Sequence, residues 1–224
     1  MMKIKRLVFF FLVYNSSFAQ NQTDSLAHYL DDQLYIAGYK INLINTPSGF
    51  KSNGFSNGIS FGFIKDIPLN EQRNVGLGVG LGLAFNSFKN NLKLIENNES
   101  INALILNDEF ITNKITTKAV EFPIEFRWRT STPDKFKFWR IYSGMKFSYL
   151  YKSDYSFVDS STNYQLKNPE ILNKFQYGLT LNAGYSAFNL YAYYGLKPLY
   201  KELNINQEKL SMKEIKFGLI IYIL

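Results

Sequence analysis

Between Val120 and Phe147 the chain reads VEFPIEFRWRTSTPDKFKFWRIYSGMKF, two stretches of alternating apolar and polar residues around a short polar turn. Strand side chains alternate with period two. In the first arm Val120, Phe122, Ile124, Phe126 and Trp128 therefore share one face, and Glu121, Pro123, Glu125, Arg127 and Arg129 the other. In the second arm Trp139, Ile141, Met145, Phe147 and Tyr149 lie opposite Arg140, Tyr142, Gly144, Lys146 and Ser148, with Ser143 a small polar residue within the apolar row. An apolar row ending in tryptophan, backed by a row carrying charges of both signs, suits a wall between lipid and a polar interior.

The same alternation recurs along the chain. Leu34 to Ile44 sets Tyr35, Ala37, Tyr39, Ile41 and Leu43 on an apolar side, opposite Gly38, Lys40 and Asn42. From about Phe55 to Asp66, Phe55, Ile59, Phe61 and Phe63 oppose Ser56, Gly58, Ser60 and Gly62. Asn74 to Asn86 places Val75, Leu77, Val79, Leu81, Leu83 and Phe85 against Gly76, Gly78, Gly80, Gly82 and Ala84. Lys174 to Ala187 and Met212 to Leu224 repeat the pattern, while Tyr191, Tyr193 and Tyr194 leave the facing of Leu190 to Lys197 ambiguous. Long connections follow strands one, three, five and seven, and short turns follow two, four and six. The segment Ile101 to Leu106 in the longest connection fits a short helix or a strand extension.

These features predict an all-β fold, an antiparallel transmembrane β-barrel of about eight strands with long extracellular loops and short periplasmic turns. A soluble lipocalin-like barrel would turn the aromatic rows inward and leave the glycine row as a poor solvated surface. Pro123 has no N–H to give to a closed ladder, and a bulge is expected there.

Composition narrows the class further. Aromatic residues make up 17% of the chain, yet mean hydropathy is only −0.16. That combination fits strands that present lipid-facing aromatics on one side only. Lys3, Lys5 and Arg6, the apolar run Leu7 to Tyr14 and the small-residue end at Ala19 form the three parts of a secretory signal peptide. The expected organisation is a signal peptide over 1–19, a periplasmic segment over 20–33 and the barrel over 34–224. Losing those three cations takes the formal charge from +7 to +4. The remaining basic residues are scattered, which argues against nucleic acid as a partner. There is no cysteine and hence no disulfide framework or thiolate metal site.

Candidate chemistry is sparse. His28, the only histidine, lies with Asp31 and Asp32 in the polar N-terminal segment and reads as part of a solvated tail, with neither metal nor cofactor site expected. Glycine at period two within a strand lacks the strand-to-helix turn that a phosphate cradle needs. Glu121 and Glu125 are about 13 Å apart along an extended strand, too far for a carboxylate dyad. Glu121, Glu125, Arg127, Arg129, Arg140 and Lys146 read as a structural charge cluster in the barrel interior, where charges must be paired. The turn Thr130, Ser131, Thr132, Pro133, Asp134 and Lys135 falls on the periplasmic side and is the candidate contact for a partner.

The stretches EFPIEFRWRTSTP, KFWRIY, NTPSGF and KDIPLNE resemble the PorT family of the Bacteroidetes. The resemblance covers most of residues 34–224, apart from 95–110 and 152–170. It implies a non-enzymatic outer-membrane barrel in lipid, acting as an accessory or assembly factor with other components of the type IX secretion system and supporting gliding motility where present. A general small structural or ligand-binding outer-membrane barrel is the alternative.

Overall fold

The computed structural model describes residues 32–97, 100–107, 110–130, 138–201, 204–205, 208–209 and 211–223. The segment read as signal peptide and the periplasmic lead up to Asp31, with His28, lie outside the described residues. The strands are β1 (Gln33–Ile44), β2 (Asn57–Pro68), β3 (Val75–Lys89), β4 (Leu92–Asn97), β5 (Ser100–Ile105), β6 (Thr112–Arg129), β7 (Trp139–Val158), β8 (Asn163–Lys167), β9 (Phe175–Tyr185), β10 (Phe188–Gly195), β11 (Asn204–Ile205), β12 (Glu208–Lys209) and β13 (Lys213–Ile223).

Eight of them, β1, β2, β3, β6, β7, β9, β10 and β13, pair antiparallel with their neighbours in that order. β1 and β13 then close the ring, from Leu34 opposite Ile223 to Ile44 opposite Lys213. A closed ring removes the exposed edges that an open sheet would present. In the sequence six residues separate β2 from β3, nine β6 from β7 and two β9 from β10, and the other connections between barrel strands are longer.

The faces settle the choice between a membrane wall and a soluble barrel. Leu81 is 55% exposed, Phe122 48% and Leu219 55%, whereas Glu121 is 1% exposed and Arg127 is fully buried. The aromatic and aliphatic rows thus point outward around the ring, the arrangement that lipid stabilises. Trp128 and Trp139 stand outward at the short-turn end, with the Trp139 ring 5.4 Å from that of Tyr185.

The first strand reverses the expected facing. Tyr35, Ala37, Tyr39 and Ile41 are buried inside, and Leu34 and Ile36 face out. Both rows of β1 are apolar enough for lipid, so alternation alone could not orient it. The interior decides: a side chain at Gly82 would overlap the Tyr35 hydroxyl, and Tyr39 donates to Asn86 Oδ1 at 2.9 Å. Tyrosine fits this polar interior because its apolar body carries a hydroxyl tip that needs a partner. The same reasoning resolves β10, where Tyr191 and Tyr193 point in and Tyr194 points out.

No bulge forms at Pro123. Pairing with β3 runs from Val79–Ile124 to Gly82–Glu121 in one register, and lapses only where Gly80 and Leu81 face Pro123 and Phe122. The proline costs the ladder locally and leaves the register intact; its ring lies 2.9 Å from where a Gly80 Cβ would stand. The register shift in the β6–β7 pair comes at Lys118/Ala119, which face Lys152 and Leu150. Tyr151 is the extra residue. Below the shift the even-numbered residues of β7 point inward, and above it Ser153, Tyr155 and Phe157 do, as one inserted residue requires.

The strands also outrun the expected loops. β7 continues to Val158 and pairs with β8, so much of 152–173 is sheet. β4 and β5 pair antiparallel as a hairpin, from Leu92 opposite Ile105 to Asn97 opposite Ser100. Asn91 ties this hairpin to the β1–β2 connection, accepting from Lys51 N at 2.7 Å and donating to Gly49 O at 2.9 Å and Leu106 O at 3.0 Å. Leu92 and Leu94 are buried there, with Phe88, Tyr155, Phe157 and Leu199 in the same apolar cluster. The barrel therefore has an apolar filling under its long connections, while Asp66, Arg127, Arg129 and Arg140 are buried towards its other end.

Candidate functional site

The interior charges come from strands whose outward rows are apolar, so alternation alone drives them inside. Asp66, Glu121, Glu125, Arg127, Arg129, Arg140, Lys146, Glu214 and Lys216 are all buried. Glu121, Glu125, Arg127, Arg129, Arg140 and Lys146 are among these buried side chains. Asp66, Glu214 and Lys216 were missed, although each continues the inward row of its strand and could have been found by extending the alternation to the strand ends.

Asp66 is the centre of the array. Its Oδ1 lies 3.1 Å from Arg127 Nη1 and its Oδ2 lies 2.7 Å from Arg129 Nη2, so one carboxylate from β2 holds two guanidinium groups of β6. Arg127 also reaches Glu125 Oε2 through Nε at 3.2 Å and Gln33 Oε1 through Nη2 at 3.3 Å. Its guanidinium stands 4.7 Å from the Tyr142 ring centre and 5.9 Å from that of Tyr222. Arg129 Nε donates to the Arg73 carbonyl at 2.6 Å. The far oxygen of Glu125 accepts from Asn182 Nδ2 at 3.2 Å and Tyr222 OH at 3.3 Å. Residues of β1, β2, β6, β9 and β13 are thus tied together across the barrel.

Nearer the middle, Lys146 Nζ lies 3.0 Å from Glu121 Oε2, a close ion contact, and donates a hydrogen bond to Tyr191 OH at 3.2 Å. Lys216 pairs with Glu214 at 2.9 Å within β13. Among the described residues five buried cations face four buried carboxylates, and the cation in excess is Arg140. Its Nε and Nη1 have no hydrogen-bond partner among the described residues, and its guanidinium stacks 4.5 Å from the Phe138 ring centre.

Of the turn, Thr130 is described: its N–H donates to Trp139 O at 2.9 Å, and its Oγ1 accepts from Trp139 N at 3.0 Å. Ser131, Thr132, Pro133, Asp134 and Lys135 lie outside the described residues. Asp32 is no part of a solvated tail. It pairs with Lys65 Nζ at 2.6 Å and accepts from the Asp66 N–H at 2.8 Å, bonds that hold its carboxyl below the usual range against the opposing effect of burial. Among the described residues no group of three or more His, Cys, Asp or Glu side chains could hold a metal ion. Chemically the array neutralises and braces, since its carboxylates are all engaged by cations or hydrogen-bond donors.

A family model described as "Outer membrane protein beta-barrel domain" matches residues 14–201. No curated protein sequence matches the chain. Among solved structures the chain is similar to Ail, the attachment invasion locus protein of Yersinia pestis, at 12% identity and a TM-score of 0.37, covering 86% of this chain and 97% of that one. The same protein in complex with the heparin analogue sucrose octasulfate gives 10% identity, a TM-score of 0.37 and the same coverage. A mutant porin of Rh. blastica gives 8% identity and a TM-score of 0.16, over 87% of this chain and 100% of that one.

Proposed function

Because the chain belongs to the outer membrane protein beta-barrel domain family, we propose that it is a non-enzymatic structural and binding barrel of the outer membrane, acting through its wall and its long connections. The observation that carries this reading is the filled interior. Arg127, Arg129, Tyr35 and Tyr142 are fully buried, and so are Phe88, Leu92, Tyr155 and Phe157. An eight-stranded barrel is just wide enough for its side chains to fill, and among the described residues large side chains occupy the interior of this one. In a planar lipid bilayer the purified protein is expected to give no ion conductance; steady open-channel current would overturn the reading. Deleting the gene should weaken the envelope, seen as increased detergent sensitivity, while leaving secretion intact.

A second reading is an accessory or assembly role in type IX protein secretion, and gliding motility where present. The sequence resemblance of EFPIEFRWRTSTP, KFWRIY, NTPSGF and KDIPLNE supports it. In this reading the long connections face outward, both barrel ends of the chain lie in the periplasm, and the turn Thr130–Lys135 meets other components of the machinery. Deletion followed by proteomics of the culture medium separates the two roles. Loss of type IX cargo from the medium supports secretion, and normal release with a weakened envelope supports the structural role.

A further inference from the structure

The outward residues of β13, β1, β2, β3 and β6 align in rows across the wall. One row reads Ile221, Ile36, Phe61, Leu83 and Val120, apolar throughout. The next, towards the long connections, reads Leu219, Gly38, Ile59, Phe85 and Lys118. The one after reads Phe217, Lys40, Asn57, Ser87 and Thr116. Within two such steps, about 7 Å each, the wall changes from hydrocarbon-compatible to polar.

At this boundary the wall is hollow. No atom lies within 4 Å of where a Gly38 side chain would begin, and an open groove of about 990 Å³ runs past Gly38 between Ile59, Phe85, Phe217 and Leu219. Two cations border it. Lys118 Nζ stands 5.8 Å from the Phe85 ring centre, and Lys40 occupies the polar row. Among the described residues neither lysine has a carboxylate within ion-pair distance. An apolar trough that opens beneath unpaired lysines is complementary to a lipid with acyl chains below an anionic headgroup.

The spacing of the lysines selects among such lipids. Lys40 on β1 and Lys118 on β6 are separated by three strand spacings, about 14 Å, and one step of about 7 Å along the strands. One phosphodiester would have to draw both side chains together over that span. Phosphates at the two ends of a disaccharide meet one lysine each. We propose that the groove binds a bisphosphorylated, multi-acylated glycolipid, its acyl chains seated over Gly38 and its phosphates on Lys40 and Lys118. This inference rests on the wall lying in lipid and is independent of which role the barrel serves.

The test uses the full-length folded protein in detergent micelles, with bound lipid counted by native mass spectrometry. The probes are hexa-acyl lipid A with two phosphates, the same molecule without phosphates, and phosphatidylglycerol. Wild type should retain the bisphosphorylated form preferentially. Lys40→Gln with Lys118→Gln should weaken that retention about 30-fold, as expected for two lysines meeting anionic headgroups. Gly38→Phe, which fills the trough from an outward position with open space around it, should weaken it while both lysines remain. Equal retention by wild type and both variants, or equal retention of the dephosphorylated form or of phosphatidylglycerol by wild type, would overturn the proposal.

Discussion

Asp66→Asn destabilises the barrel by about 3–5 kcal/mol, the cost of removing one partner from a buried charge pair. The change keeps the shape of the side chain and takes away the carboxylate that Arg127 and Arg129 share. Both guanidinium groups stay in an interior that water does not reach, so a lost charge partner is not replaced by hydration. Urea unfolding of the refolded protein in detergent micelles should show the midpoint falling sharply, and unheated gel samples should lose the faster-migrating folded band. Glu125→Gln is the matched comparison. Arg127 then keeps Asp66, and the expected loss is smaller, about 1–3 kcal/mol. If Asp66→Asn and Glu125→Gln unfold at the same urea concentration, Asp66 is not the centre of the array.

Gly144→Ala is the second large effect. A Cβ at Gly144 would overlap Ile124 O, a backbone atom of the strand that Gly144 pairs with, so no rotamer change relieves it. Overpacking against flexible side chains costs about 1–3 kcal/mol, and a clash with backbone belongs at the upper end of that range or beyond. The displaced β6 backbone carries Glu125, so the variant should also loosen the bonds from Asn182 and Tyr222 to that carboxylate. Gly38→Ala is the control, because it adds the same methyl group where no atom lies within 4 Å; its expected change is within about 0.5 kcal/mol. Equal unfolding midpoints for the two alanine variants would refute the packing argument.

Two kinds of position escaped the sequence for different reasons. Asp66, Glu214 and Lys216 were legible, since each falls on the inward parity of a strand already recognised. The inward turn of Tyr35 and Tyr39 was not. Tyrosine is apolar enough for a lipid wall and polar enough for a bonded interior, and only the space left by Gly82 and the acceptor on Asn86 choose between them. Pro123 shows the same limit. The missing N–H fixes that a ladder bond is lost, but whether the chain bulges or keeps its register depends on what faces the proline. Here Gly80 makes room for the ring.

By itself the sequence determined the class of fold and the polarity of its two surfaces. Period-two alternation can be satisfied only by strands, and rows of charge can be kept from lipid only by closing those strands around them. It also determined the number of barrel strands. Tertiary structure alone decided which charges meet. Asp66 and Arg127 lie far apart in the chain, and their contact depends on the register of β2, β3 and β6 taken together. It also decided the groove beside Gly38, which exists because five strands bring one missing side chain and two lysines into adjoining rows.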